Sequence, residues 1–230
     1  MLNGGSAVIK DSNFISNLGG DAAAIGSYNG SHLTIENSLF YNNSAHREAN
    51  ATGGGGAIIF SGAAANLTNC TFANNYTSNE GGAIINIGTM TVTNSTFDGN
   101  ASQIGGAISN KSVLLLRNSI IANSALGNNC HEITPITDGG GNLRWPASDT
   151  TCVGVFSDPL LSPLADNGGP GFTLALQRGS GAVRLATANC PATDQRGQPR
   201  SHAPDSCDAG AFEWQGQLTF FPVIFHSPAP

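Results

Sequence analysis

Proline does not occur before Pro135, so no strand in that first stretch lacks a backbone donor. Charge is scarce as well: Lys and Arg number 9, Asp and Glu 15, with no run of either sign. Without a basic patch, a nucleic-acid partner is excluded. No apolar stretch is long enough to cross a membrane as a helix. The first residues, Met1-Leu-Asn-Gly-Gly-Ser-Ala-Val-Ile9, have neither a basic region nor an apolar core and do not read as a signal peptide. The five histidines (His32, His46, His131, His202, His226) show no metal-ligand spacing, and no calcium-loop repeat occurs, so neither a metal nor another cofactor is expected. With 10% charged and 7% aromatic residues, the chain suits a solenoid better than a globular enzyme.

What the chain has instead is repetition. One motif returns five times: Asp11-Ser-Asn-Phe14-Ile-Ser-Asn17, Asn37-Ser-Leu-Phe40-Tyr-Asn-Asn43, Asn69-Cys-Thr-Phe72-Ala-Asn-Asn75, Asn94-Ser-Thr-Phe97-Asp-Gly-Asn100 and Asn118-Ser-Ile-Ile121-Ala-Asn-Ser124. Between the copies stand Gly55-Gly-Ala-Ile58, Gly81-Gly-Ala-Ile84 and Gly105-Gly-Ala-Ile108. A period of roughly 25 residues rich in Gly, Asn, Ser and Thr marks a stacked solenoid.

Ahead of each Asn, apolar residues alternate with polar ones. They form the columns Ile9, Ile35, Leu67, Val92, Leu116 and Ala7, Leu33, Ala65, Met90, Leu114. Period two means strand, with these columns facing inward. Phe14, Phe40, Phe72, Phe97 and Ile121 make a further inward column. Asn37, Asn69, Asn94 and Asn118 fall where the chain turns, as do Asn17, Asn43, Asn75 and Asn100; Asn tolerates left-handed backbone, and stacked amides can form a ladder. The fold expected is all-β: a parallel β-helix of about five coils, on the order of 24 Å long. Acceptor patterns for glycosylation, such as Asn66-Leu-Thr68 and Asn75-Tyr-Thr77, arise by chance in such a composition.

Cys70 stands in the column of Ser12, Ser38, Ser95 and Ser119, which reads as a free core thiol. Cys130, Cys152, Cys190 and Cys207 follow the repeats in loop-rich sequence. Their even number there points to disulfides Cys130–Cys152 and Cys190–Cys207 in an exported protein. Each closes a loop of about 20 residues, contributing roughly 3 kcal/mol in the chain-entropy model. The chain divides into repeats (1–127), a disulfide-stapled capping or anchor-type module (128–214) and an apolar tail (215–230).

That module reads Asp158-Pro-Leu-Leu-Ser-Pro-Leu-Ala-Asp-Asn-Gly-Gly-Pro170, then Cys190-Pro-Ala-Thr-Asp-Gln-Arg-Gly197 and Cys207-Asp-Ala-Gly-Ala-Phe-Glu213. It resembles the carboxy-terminal module of bacterial choice-of-anchor Q surface proteins, and the repeats resemble the FxxN and GGA(I/L/V) repeats of polymorphic outer-membrane-protein-like β-helices. The resemblance covers residues 1 to about 214. It implies a right-handed parallel β-helix in a secreted or cell-surface bacterial protein, and it supplies no catalytic residues. One departure is Arg184, which stands where the family pattern has an acid. Arg196 is expected to fork onto Asp208 or a backbone carbonyl.

Catalysis on polysaccharide needs clustered carboxylates, and the acids of the coils share no column. Glu36 aligns with Lys10, Thr68, Thr93 and Arg117; Asp98 aligns with Ile15, Tyr41, Ala73 and Ala122. No enzyme activity is therefore expected. The alternatives are an adhesin-like module presenting a neutral face to glycans or proteins, and a building block that assembles head to tail. A carbohydrate-binding or polysaccharide-processing β-helix with active residues outside this chain is the remaining reading. The assembly reading rests on an uncapped first coil and on the tail strand carrying Leu218, Phe220, Phe221, Val223, Ile224 and Phe225, which has the composition of a strand that pairs with an open sheet edge. That segment can equally lie along its own solenoid. His46-Arg47-Glu48, in the longest insertion between repeats, is the one polar cluster that interrupts the pattern.

Overall fold

The computed structural model describes residues 1–46, 54–201 and 203–216. The tail segment from Leu218 to Phe225, with Arg47, Glu48 and His202, lies outside the described residues.

The repeats wind into a parallel β-helix with three long sheets and one short one. The first sheet holds Leu2–Asn3, Ile25–Tyr28, Ile58–Phe60, Ile84–Asn86, Ile108–Asn110 and Cys130–Glu132. The second holds Ser6–Lys10, His32–Glu36, Ala64–Thr68, Met90–Thr93, Leu114–Arg117 and Thr137–Asp138. The third runs from Asn13–Ile15 through Leu39–Tyr41, Thr71–Ala73, Thr96–Asp98 and Ile120–Ala122 to Leu143–Trp145 and Val155–Phe156.

Register explains the columns. Phe14 pairs with Phe40, Phe40 with Phe72, Phe72 with Phe97 and Phe97 with Ile121. The four rings stack at 4.8, 4.7 and 4.7 Å, within 6° of parallel. This spacing is the strand separation itself. Leu33, Ile35, Leu67, Met90, Val92 and Leu116 complete the buried interior. In each Gly-Gly-Ala-Ile motif the second glycine serves the stacking: a Cβ on Gly82 would lie 2.0 Å from the carbonyl oxygen of Gly106, and one on Gly56 1.8 Å from that of Gly82. Only hydrogen fits there.

Asn37, Asn69, Asn94 and Asn118 all take left-handed φ, between 44° and 53°, the turn role expected of them. As a ladder they are interrupted. Asn69 donates to Asn37 and Asn118 to Asn94, each at 3.2 Å. Between Asn69 and Asn94 the side chains turn outward instead: Asn69 Oδ1 accepts from Arg200, and Asn94 Nδ2 donates to the Asp208 carbonyl. The unbroken ladder is the inner one. Asn17 donates to Asn43 at 2.8 Å, Asn43 to Asn75 at 2.8 Å and Asn75 to Asn100 at 2.9 Å. Its amides replace water for a buried corner, where an unpaired polar group costs about 1–3 kcal/mol.

The solenoid does not stop at residue 127. Cys130–Glu132, Thr137–Asp138 and Leu143–Trp145 each add a parallel strand to one of the three sheets, making an irregular sixth turn. The loss of the Phe and Gly-Gly motifs hides it in the sequence. Cys130 takes the inward place of Ile108, and its disulfide to Cys152 closes the end of the core. Arg144 takes the next place after Ile121 in the Phe column and donates to the carbonyls of Asp149 and Gly154.

Residues 157–214 are also no end cap. They return along the flank of the coils as a strap over the third sheet. Asn118 donates to the Ala188 carbonyl, Asn94 to Asp208, Asn69 to Thr193 and Asn13 to Pro170. The outward-turned corner amides supply donors, and the extended, turn-rich strap supplies carbonyls. Under it, Thr71 donates to Gln195 Oε1 at 2.6 Å, and Thr96 accepts from the Ala211 amide at 2.9 Å. The Cys190–Cys207 disulfide staples this strap. Non-reducing peptide mapping should recover Cys130–Cys152 and Cys190–Cys207, with Cys70 alone reduced.

Cys70 is fully buried, and burial pushes its thiol up to about 12. It takes the serine role by donating to the Thr68 carbonyl, as Ser95 does to Thr93 and Ser119 to Arg117. Native protein should therefore resist thiol-labelling reagents at pH 8 and react fully only in denaturant.

Candidate functional site: a strap-walled groove

The strap is anchored by buried charge. Arg200 donates to Glu213 Oε2 at 2.9 Å, to Asn69 Oδ1 at 3.0 Å and to the Gly210 carbonyl at 2.9 Å. Its side chain is fully buried. Burial lowers the guanidinium below its ordinary value, opposed chiefly by the charge of Glu213. Arg196 does not fork onto Asp208. It grips Asp194, two residues earlier, with Nε at 2.9 Å and Nη2 at 2.6 Å, donates to the Glu213 carbonyl at 2.7 Å and covers the Phe212 ring at 3.7 Å. Asp208 instead accepts the backbone amides of Arg184 and Trp214, and burial raises its carboxyl above the ordinary range. Arg184 has left-handed backbone, φ 56°, and its amide is one of the two donors to Asp208.

Where the strap loop from Asp158 to Leu164 faces the third sheet it leaves a groove of about 510 Å³. The loop wall is held by an antiparallel contact between Leu161 and Leu176 and by the Ser180 hydroxyl on the Pro159 carbonyl. At its tip Leu160 has φ 42°, a conformation disfavoured for a bulky residue. The Asp158 carboxylate stabilises it by accepting the Leu160 amide at 2.9 Å.

The opposite wall is a defect in the repeat. Ser16, Asn42, Asn74, Gly99 and Asn123 occupy one left-handed corner column. Asn42 donates to Ser16 at 3.0 Å, and Gly99 brings no side chain to the column. Asn74 Oδ1 lies 2.3 Å from where a Cβ on Gly99 would be. Asn123 therefore turns to the neighbouring column and donates to Asp98 Oδ1 at 2.7 Å. Asp98 is half-buried, and burial raises its carboxyl above the ordinary range, the Asn123 bond acting against that. Asp98 has no stacked acid in its strand column, but the strap brings Asp158 to the same groove; the Gly99 break in the Asn column is the one signal of this in the sequence.

A carboxyl whose folded pKa lies above its unfolded value lowers stability as pH rises between the two. Asp98→Asn should thus melt higher than the parent near pH 7, and the gain should vanish near pH 3, measured by calorimetry at both.

The remaining surface is plain. Lys10 and Glu36 pair at 2.8 Å on the exposed second sheet, where solvent screens the contact. Among the described residues no group of three or more His, Cys, Asp or Glu is placed to hold a metal ion, and no helix is long and apolar enough to cross a membrane.

Residues 1–140 match the family model for the right-handed beta helix region, and the chain belongs to that family. No curated protein and no solved structure matches it.

Proposed function

We propose that this chain is a non-catalytic, exported β-helix of a bacterial cell surface that binds extended glycan chains in the strap-walled groove, an adhesin-like role. The observation that carries it is the groove: carboxylates Asp98 and Asp158, amides Asn74, Asn123 and Gln177 and the Ser162 hydroxyl face one cleft. Side-chain amides donate and accept at once, which suits vicinal hydroxyls. Strands repeat about every 4.8 Å along this wall, close to the advance of one pyranose unit in an extended chain. Two disulfides fit an oxidising compartment.

Parallel β-helices serve enzymes and non-enzymes alike, so the fold does not decide catalysis. The non-catalytic half rests on the sheets: no two acids share an outward column there. Titration calorimetry with linear oligosaccharides tests the binding, and incubation with neutral and acidic polysaccharides, with and without calcium, tests the rest. Turnover abolished by Asp98→Asn would overturn the non-catalytic reading.

A further inference from the structure

Resting on the glycan-binding reading, we infer that the groove is one part of a longer cleft. A second subsite at the tip of the strap hairpin, with Phe172 as a stacking platform, receives the far end of an extended, β-1,4-linked glycan. The hairpin is pinned by antiparallel contacts of Leu161 with Leu176 and of Ala165 with Thr173. Beyond the second contact its tip leaves a cavity of about 240 Å³, walled by Asp166 and Phe172 on the strap and by Asn13, Ile15 and Leu39 on the third sheet. This cavity and the groove share both walls. On the sheet, Ile15, Tyr41, Ala73 and Asp98 are successive neighbours in one outward row. Ala73 and Asp98 line the groove, and Ile15 lines the second cavity. On the strap, Leu164 and Leu174 face the groove and Asp166 and Phe172 the second cavity, with the Ala165–Thr173 contact between.

Phe172 is 45% exposed and Ile15 47%, two large apolar side chains left open at one small cavity. The backbone around Phe172 is nevertheless fixed. Ala165 and Thr173 exchange both backbone hydrogen bonds, at 3.2 and 3.0 Å, the Phe172 carbonyl accepts from Gln195, and the Pro170 carbonyl accepts from Asn13. An aromatic ring displayed from a held backbone binds with little loss of conformational freedom. Two apolar side chains are too little for a stable protein interface, which buries upward of about 1,000 Å², but they cover the face of one sugar ring. A pyranose with equatorial hydroxyls, as in glucose and N-acetylglucosamine, presents C–H faces that stack on an aromatic ring. Links of the β-1,4 type keep successive rings in a straight row, as the shared walls require. Together the two cavities span the coils from Ile15 to Asn123, room for about five sugar units at the strand spacing.

The test is calorimetry on the full chain with trimers and hexamers of β-1,4-linked glucose and of β-1,4-linked N-acetylglucosamine, and with the α-1,4-linked glucose hexamer, whose chain coils. A trimer fills the groove alone, whereas a hexamer reaches Phe172. In at least one β-1,4 series the hexamer should bind about tenfold tighter than the trimer, the worth of one ring stack. The α-1,4 hexamer should bind no tighter than the trimer. Phe172→Ala should bring the hexamer down to the trimer's affinity and leave the trimer unchanged, while Phe172→Tyr should keep the gain. Circular dichroism checks that both variants keep the fold. A hexamer no tighter than its trimer in both series, or an α-1,4 hexamer as tight as the β-1,4 one, overturns the inference while glycan binding stands. So does a length gain unmoved by Phe172→Ala, or an equal loss of trimer and hexamer in that variant. Failure of every oligosaccharide to bind overturns the glycan-binding reading itself.

Discussion

Truncating Phe72 to alanine is expected to destabilise the protein by about 3–5 kcal/mol. The ring is fully buried and stacked on both faces, by Phe40 and Phe97. Its neighbours are fixed by strand register, so they cannot collapse into the space. Phe14→Ala should cost clearly less, because that ring is half-buried and stacked on one face in the first coil. Urea titration of both variants checks the ranking. Equal losses would mean that end position does not weaken the stack.

A comparable loss is expected at Arg200, by a different route. Arg200→Met keeps the volume but leaves Glu213 buried without its cation, and breaking one side of a buried pair costs about 3–5 kcal/mol. It also removes donors from the carbonyls of Gly210 and Asp208 and from Asn69. The damage should be local. Limited proteolysis should cut the strap while the far-ultraviolet signal of the coils persists. Adding Glu213→Gln should recover part of the loss, since the uncompensated charge is then gone. A single variant that keeps parental protease resistance would show that the disulfide alone holds the strap.

The coils were legible because stacking makes one residue position repeat. Phe14 to Ile121 and Ile9 to Leu116 fall in register from sequence alone, and the columns placed Cys70 correctly beside the serines. The sixth turn was not legible, since Cys130 and Arg144 occupy core columns through a disulfide and a carbonyl-capped guanidinium rather than through apolar side chains. The groove was half legible. Asp98 lies inside the periodic region, but Asp158 reaches it through a loop whose path depends on contacts more than a hundred residues apart in sequence, such as Asn69 to Thr193. Periodicity carries no record of such contacts. Of the two partners expected for Arg196, the backbone carbonyl is met, at Glu213; the acid is Asp194 and not Asp208, because a turn folds Asp194 back onto the guanidinium and spacing does not distinguish the two acids.

Solenoids ordinarily melt as loosely linked units, because each coil touches only its neighbours. Here one covalently stapled segment grips the first, third, fourth and fifth coils, through Asn13, Asn69, Thr96 and Asn118. Peeling away an outer coil therefore means breaking contacts that also hold the middle ones. That turns a graded array into one cooperative unit with a single melting transition. A nick in the strap would return it to stepwise unravelling, so the resilience of the whole rod depends on a segment that contributes almost no sheet to it.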